Sequence, residues 1–465
     1  PDARGHRGAI ILVTSVLASD PVPTLFATHA YAAAKGAVDA LVRTTAAIAA
    51  ARRGAATLLV EKQAFLGGTS TAVLDTFYGF WTPGEQPRKV VGGIGDDVVA
   101  ELRELGPVVE RPNTYGAGTG ITYHPDHLKV AWERLVPRSG ARILLHAFVQ
   151  DAVVRGGRIE GVVVATKAGL QAIDARVVID ASGDADVCAF AGVPTELAGE
   201  LEPAQTLTTT FRMTNVDMDR RRGVDRAALH ALMADAAESG AYDLPRREGS
   251  DHPTPIPGVT ATIMTRLAPT GDAAGRTINA SDPDFLTQAE MAGRRQALEY
   301  VRFLVDRVPG YEHASLVGMG IQLGVRETRR VHGDYRVTRD DVLAARQFDD
   351  QVGLCGAPIE DHQPGTGTRW QYLPDGQAVG IPFRTLLPVG VENLLVAGRC
   401  FSATHDAHAS VRSMAQCMAM GQAAGTAAAL SVEEGRSARE LQVGGLLDVL
   451  RGDGAILSLD ESAPA

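Results

Sequence analysis

The sequence predicts an α/β protein with a parallel sheet that opens on a βαβ unit, a β-meander, and an inserted α+β substrate segment. Three observations predict it. An apolar run at residues 9–14 precedes an Ala-rich helical stretch from about Tyr31 to Arg53, and a second apolar run, Thr57-Leu58-Leu59-Val60, ends in Glu61. Short apolar runs separated by glycine turns then crowd residues 143–179. Beyond residue 196, strand-like and helical patterns alternate until an apolar strand returns at 393–398.

Each element has a local reason. Ala9-Ile10-Ile11-Leu12-Val13 is the unbroken apolar run of a strand buried on both faces. Residues 15–30 contain Pro21 and Pro23 and read as a loop. Gly54 ends the Ala-rich helix, in the usual place for a C-terminal glycine. Strand, helix and strand in that order open a parallel sheet. A helix begins at His124-Pro125-Asp126, with Leu128, Val130, Ala131 and Leu135 on one face. The meander follows: Ile143 to Leu145, Val149 to Arg155, the turn Gly156-Gly157, Gly161 to Thr166, Leu170 to Ile173, and Val177 to Ile179. In a helix near 287–308, Leu298, Val301, Leu304, Val305 and Val308 recur at helical spacing and predict a core stripe. The chain returns with the strand at 393–398 and a helix from Met414 to Leu430. These changes divide the chain at 1–45, 46–195, 196–330, 331–435 and a C-terminal helix and tail at 436–465.

Composition narrows the function. The formal charge of −10 argues against a nucleic-acid or anionic-membrane partner, since either needs a basic surface. No apolar stretch approaches membrane-spanning length. Cys188, Cys355, Cys400 and Cys417 lie far apart with no CxxC, which offers no metal cage and no dithiol and predicts a reduced, cytoplasmic setting. The expected partner is a small-molecule substrate.

A dinucleotide site in a first βαβ unit uses a glycine turn against the pyrophosphate and an acidic residue about 20 positions on for the ribose hydroxyls. Glu61 is that acid in type and place. The runs Ala46 to Gly54, Leu58-Leu59-Val60-Glu61-Lys62 and Phe65 to Thr71 resemble the FAD-dependent oxidoreductases of the glutathione-reductase fold, closest to the branch that includes the flavin subunit of heterodisulfide reductase. The likeness continues through Val178 to Asp186, Gly324 to Arg330, Gly380 to Arg384, Val396 to His405 and Met420 to Gly425, so it spans roughly 46–435.

The resemblance implies FAD as cofactor and a role for each matching position. Glu61, with Lys62 beside it, would bind the adenosine ribose, and Gly67, Gly68, Thr69 and Ser70 would line the cofactor beyond it. Val149 would present its backbone to the adenine, and Gly183 and Asp184 would help close the site. Gly398 and Arg399, with a helix start at Gly421, Gln422, Ala423 and Ala424, would approach the ribityl chain and isoalloxazine. That branch also carries iron–sulfur clusters, which need grouped thiolates, and the scattered cysteines here argue against one.

The front departs from this pattern. The fingerprint glycines should stand near 38, 40 and 43, where the chain has Val38, Ala40 and Arg43. Hydrogen bonds to charged groups contribute roughly 1.5–3 kcal/mol each. Losing two predicts FAD binding weaker by about two to four powers of ten. Residues 8–45 instead resemble the catalytic stretch of a short-chain dehydrogenase/reductase, with Tyr31, Lys35 and Ser15 at the matching positions. No G-x-x-x-G-x-G precedes them. The segment then reads either as a strand and helix filling the first slots of the flavin sheet or as part of a nicotinamide-dependent carbonyl reductase.

Among candidates for chemistry, Arg326, Arg329 and Arg384 could face a substrate carboxylate, or could each pair with a nearby Asp. His405 follows the Gly-Arg run and is the candidate for handling a proton. His405 and His408, with Asp406 between them in sequence, also allow a metal reading, but a third ligand is not evident, so no metal is expected. The expected activity is hydride transfer between a small organic substrate and flavin. A cofactor-poor remnant and the carbonyl reductase are the alternatives.

Overall fold

The computed structural model describes residues 9–13, 39–112, 118–365 and 367–461. Ser15, Tyr31, Lys35 and Val38 lie outside them. A five-stranded parallel sheet forms the centre. Its strands are β1 (Ala9–Val13), β2 (Ala56–Val60), β3 (Arg142–Leu144), β4 (Val177–Asp180) and β5 (Leu394–Val396), in the order β5-β4-β1-β2-β3. Ile11 pairs with Leu58 on one side and Val178 on the other. The front strand thus occupies the central slot of the sheet. Both β3 and β4, which the sequence places in the meander, join this sheet. The meander itself is three antiparallel strands over 148–174.

Two helices share one core with the sheet. Helix α1 (Asp39–Arg52) packs on α2 (Met414–Glu434), and their small residues set how closely. A Cβ at Gly421 would come 2.6 Å from Val42 O, and one at Gly425 would come 2.2 Å from Ala46 O. Backbones therefore touch where larger side chains would hold the helices apart. A separate apolar cluster joins the meander to β4 and β5.

The segment after 196 builds a four-stranded antiparallel sheet from Ser250–Pro253, Thr260–Ile263, Phe211–Thr214 and Ser315–Met319. Thr195–Leu197 pairs with Arg329–Val331, so the two ends of this segment are zipped together. The helix Pro283–Arg307 packs Ala297, Tyr300, Phe303 and Leu304 inward. Leu298 was expected in that stripe but is 53% exposed. It follows Ala297 by one residue, about 100° around the helix, which turns it outward. Among the described residues no helix is long and apolar enough to cross a membrane.

Candidate active site

In open parallel sheets, ligands bind outside the carboxyl ends of the strands, where strand order reverses. Here that point is β1, with β2 and β3 to one side and β4 and β5 to the other. Glu61 directly follows β2 and is fully buried. One of its carboxylate oxygens accepts from Gln63 N–H at 2.9 Å, and the other accepts from the Arg43 guanidinium. A second Arg43 nitrogen donates to Ala181 O, just past β4, at 2.7 Å. One side chain thus spans from β2 to β4 across the end of β1.

Around this pair the chain is tightly braced. Asp180 accepts from the backbone N–H groups of Ser182 and Cys188, each at 2.9 Å, which shapes the turn after β4. Gly183 takes φ +70° there, a backbone that side chains disfavour. Asp184 is buried and accepts from Thr328 Oγ1 at 2.6 Å and Arg399 at 2.8 Å. Arg399 also donates to Gly183 O at 2.8 Å and Val325 O at 2.7 Å. It ties the turn to the end of the inserted segment. Lys62 is buried beside Glu61, and its Nζ has no hydrogen-bond partner among the described residues. Burial pushes its pKa down to about 7, against the pull of Asp184, Glu61 and Asp186.

Other expected cofactor positions separate. Gly67 and Gly68 have positive φ, Ser70 bonds back to Gly67 O, and Thr69 lines a cavity with its Oγ1 unpartnered among the described residues. Gly398 (φ +88°) admits Val42, which a Cβ would meet at 2.7 Å. Val149 is buried in a strand opposite Val164. The expectation for Gly421, Gln422, Ala423 and Ala424 is corrected. They lie two turns inside α2, whose start is Ser413-Met414. Gly421 contacts α1, Gln422 accepts from Ile94 N–H at 3.0 Å, and both alanines are in the core. The glycine at 421 lets the two helices approach closely.

A cavity of about 200 Å³ lies between Thr69, Arg399 and Ser413 of the sheet domain and Thr210, Arg246, His252 and Arg326 of the inserted segment. His252 Nε2 is 2.9 Å from buried Asp75. Burial opposes ionisation of Asp75, but His252 and then Arg212 hold its pKa at about 2. On another wall His362 lies 2.9 Å from Glu360. Burial and the Arg326 charge push His362 down to about 3, so it is neutral at pH 7. Burial of Glu360 is outweighed by His362, Arg412 and Arg326, which hold it at about 2. Because His362 is neutral above pH 3, its share is a hydrogen bond, and the two guanidiniums supply the charge. None of Arg246, His252, Glu360, His362 or Arg412 carries a local sequence signal, because separate stretches of chain bring them together.

Of the three candidate arginines only Arg326 reaches the cavity. Arg329 donates to Asp186 at 2.9 Å, and Arg384 grips Asp350 with two bonds at 2.9 and 3.1 Å. Both take the Asp-paired alternative. His405 is also corrected. It is buried behind the cavity wall, 3.0 Å from Glu327 and 3.2 Å from Asp361. Burial lowers its pKa, but bonds to Asp361 and Glu327 outweigh this and raise it to about 10. A cation held that firmly is a poor proton carrier at neutral pH. His408 is neutral, pushed well down by burial, and its Nε2–H donates to Arg399 O at 2.7 Å. Asp361, His405 and Asp406 converge within 4.8 Å, but Arg369 already bridges both carboxylates. Its guanidinium supplies the positive charge a metal would bring.

The His405 pair predicts a pH signature. A folded pKa near 10 exceeds the ordinary value of 6.5, so the stabilisation is complete below pH 6.5 and is lost as pH rises through 10. The stability gap between the native chain and His405→Gln, measured by urea unfolding, should be widest near pH 6.5 and close towards pH 10. A gap independent of pH would contradict this charge state.

Against FAD, these residues fit at one end and not at the other. Thr69 Oγ1, on the cavity, is a buried polar atom without a partner among the described residues, as a cofactor-contacting surface requires, and so is Lys62 Nζ beside Glu61. At Glu61, where the ribose was expected, both carboxylate oxygens already accept a bond and the side chain is fully buried, so a ribose diol would have to displace Arg43 to reach it. Ser15, Tyr31 and Lys35, the carbonyl-reductase set, lie outside the described residues.

A family model for FAD dependent oxidoreductases matches residues 44–450, beginning one residue after Arg43. The matched stretch thus leaves out β1 and the expected glycine turn. No curated protein matches the sequence. Among solved structures, a geranylgeranyl bacteriochlorophyll reductase-like protein from Thermoplasma acidophilum is 11% identical, over 96% of this chain and 83% of that one, with a TM-score of 0.44. The aromatic hydroxylase CabE is 13% identical, over 96% and 65%, with a TM-score of 0.46. The p-nitrophenol 4-monooxygenase PnpA from Pseudomonas putida is 9% identical, over 95% and 83%, with a TM-score of 0.48. At such identities these likenesses say nothing of substrate. The match over 44–450 does decide the family: this chain belongs to the FAD dependent oxidoreductases.

Proposed function

We propose that the chain transfers a hydride between flavin and a small organic substrate held in the cavity between the sheet domain and the inserted segment. The observation that carries this reading is the cavity itself. It is walled on one side by Thr69, Arg399 and the start of α2, and on the other by Arg246, His252 and Arg326. When bound, FAD supplies the two-electron chemistry, while protein groups orient substrate and manage protons. His252, oriented by buried Asp75, takes the proton-handling role first expected of His405. Ser413 and Met414 place the positive end of a long helix against the cavity.

A second reading is a cofactor-poor remnant, favoured by the Arg43–Glu61 closure. One purification separates the readings. Protein that turns yellow with FAD, and whose visible flavin band bleaches anaerobically with a substrate, supports hydride transfer. Colourless protein that FAD does not stabilise against heat supports the remnant. NADPH-dependent ketone reduction abolished by Tyr31→Phe would replace both.

A further inference from the structure

The cavity walls carry an unbalanced charge. Among the described residues five arginines line it, against a single lining carboxylate, Glu360. Arg399 is paired with Asp184, and Arg111 bonds Thr122 and Thr76 and helps hold the Asp75 carboxyl low, which leaves Arg246, Arg326 and Arg412. No carboxylate lies within 4.0 Å of any of the three among the described residues, although most other arginines here have one. Their bonds go to neutral oxygens. Arg326 donates to Thr206 O at 2.5 Å and Thr208 Oγ1 at 2.9 Å, Arg412 to Gln205 Oε1 at 2.8 Å, and Arg246 to Ile263 O at 3.2 Å. The Nε atoms of Arg246 and Arg412 are buried without partners among the described residues. Arg246 is itself only 3% exposed.

Guanidiniums do not lose their proton in proteins, so crowding them in a buried site is unfavourable unless an anion joins them. The strain is visible in Arg326, whose pKa is pushed down by burial and then by Arg412 and Arg246. Leu74, Ile263, Pro358 and Trp370 add an apolar part to the wall. A dry cavity of ~150 Å³ accepts benzene, and this one is about 200 Å³.

We infer that this cavity takes a small organic acid bearing two anionic groups on a ring-sized apolar body, gripped by Arg326 and Arg412 with Arg246 beside them. Two negative groups with Glu360 would balance the three cations. The inference rests on the cavity being the substrate site proposed above, and it adds the substrate's charge and size.

Isophthalate, benzoate and neutral isophthalamide test it by calorimetric titration into the full-length protein, with no turnover required. Isophthalate should bind at least tenfold more tightly than benzoate and weaken with salt, and isophthalamide should not bind measurably. Arg326→Met should reduce isophthalate affinity at least tenfold while leaving the thermal midpoint of the ligand-free protein unchanged or higher, because crowding with Arg412 and Arg246 is relieved while Arg412 stays beside Glu360. An arginine with only a structural role would lower the midpoint instead. Should Arg326→Met fail to fold, Arg326→Lys keeps the charge without the planar fork and should still lose several-fold. Equal binding of isophthalamide and isophthalate, or no binding of either, would overturn the inference. Flavin bleached by a neutral substrate in the same protein would overturn the charge assignment and leave the hydride-transfer reading standing. Tight dianion binding with no flavin reduction by any substrate would do the reverse.

Discussion

Arg399→Met is expected to lower folding stability by about 3–5 kcal/mol, the usual effect of removing one partner from a buried ion pair. Asp184 would lose its guanidinium partner inside the protein, and Gly183 O and Val325 O would lose donors. Because Arg399 joins the turn after β4 to the end of the inserted segment, the loss should also loosen the joint on which the cavity depends. A fall in the urea midpoint measures it. Arg399→Lys, which keeps the charge but not the three-way bonding, should recover part of the difference. A midpoint unchanged in Arg399→Met would mean that the joint is held elsewhere.

The second large effect concerns the nucleotide end. Arg43→Ala should tighten FAD binding by about one to two powers of ten, because a freed Glu61 oxygen can accept from a ribose hydroxyl at roughly 1.5–3 kcal/mol. The same change should destabilise the ligand-free protein, since Glu61 is left as an uncompensated buried charge. Opposite shifts in stability and affinity are the signature. Further glycines at 38 and 40, with a shortened 15–30 loop, should add to the gain by restoring backbone donors for the pyrophosphate.

How much of this was legible in the sequence follows from the range of each interaction. β1, β2 and the meander show in unbroken apolar runs and glycine turns, and Glu61 is readable because an acid ending a parallel strand has one topological place. The small-residue run around Gly421 is ambiguous, since glycine permits close approach by a helix as readily as by a cofactor. The structure chooses the helix. His405 invites a catalytic reading from its neighbours in sequence. Its charge is set by Glu327 and Asp361, 78 and 44 residues away. The cavity arginines 246, 326 and 412 come from three distant stretches and have no shared local pattern. Even Arg43, at a place where the resemblance expects glycine, gives no sign in sequence that its side chain ends on Glu61.

A double-mutant cycle of FAD affinity across Arg43 and Glu61, read by quenching of flavin fluorescence, tests the account at its centre. The tightening produced by Arg43→Ala should shrink at least several-fold when Glu61 is also replaced by Gln, because an amide oxygen accepts more weakly than a carboxylate. An equal gain in both backgrounds, or none in either, would show that Glu61 does not receive the nucleotide.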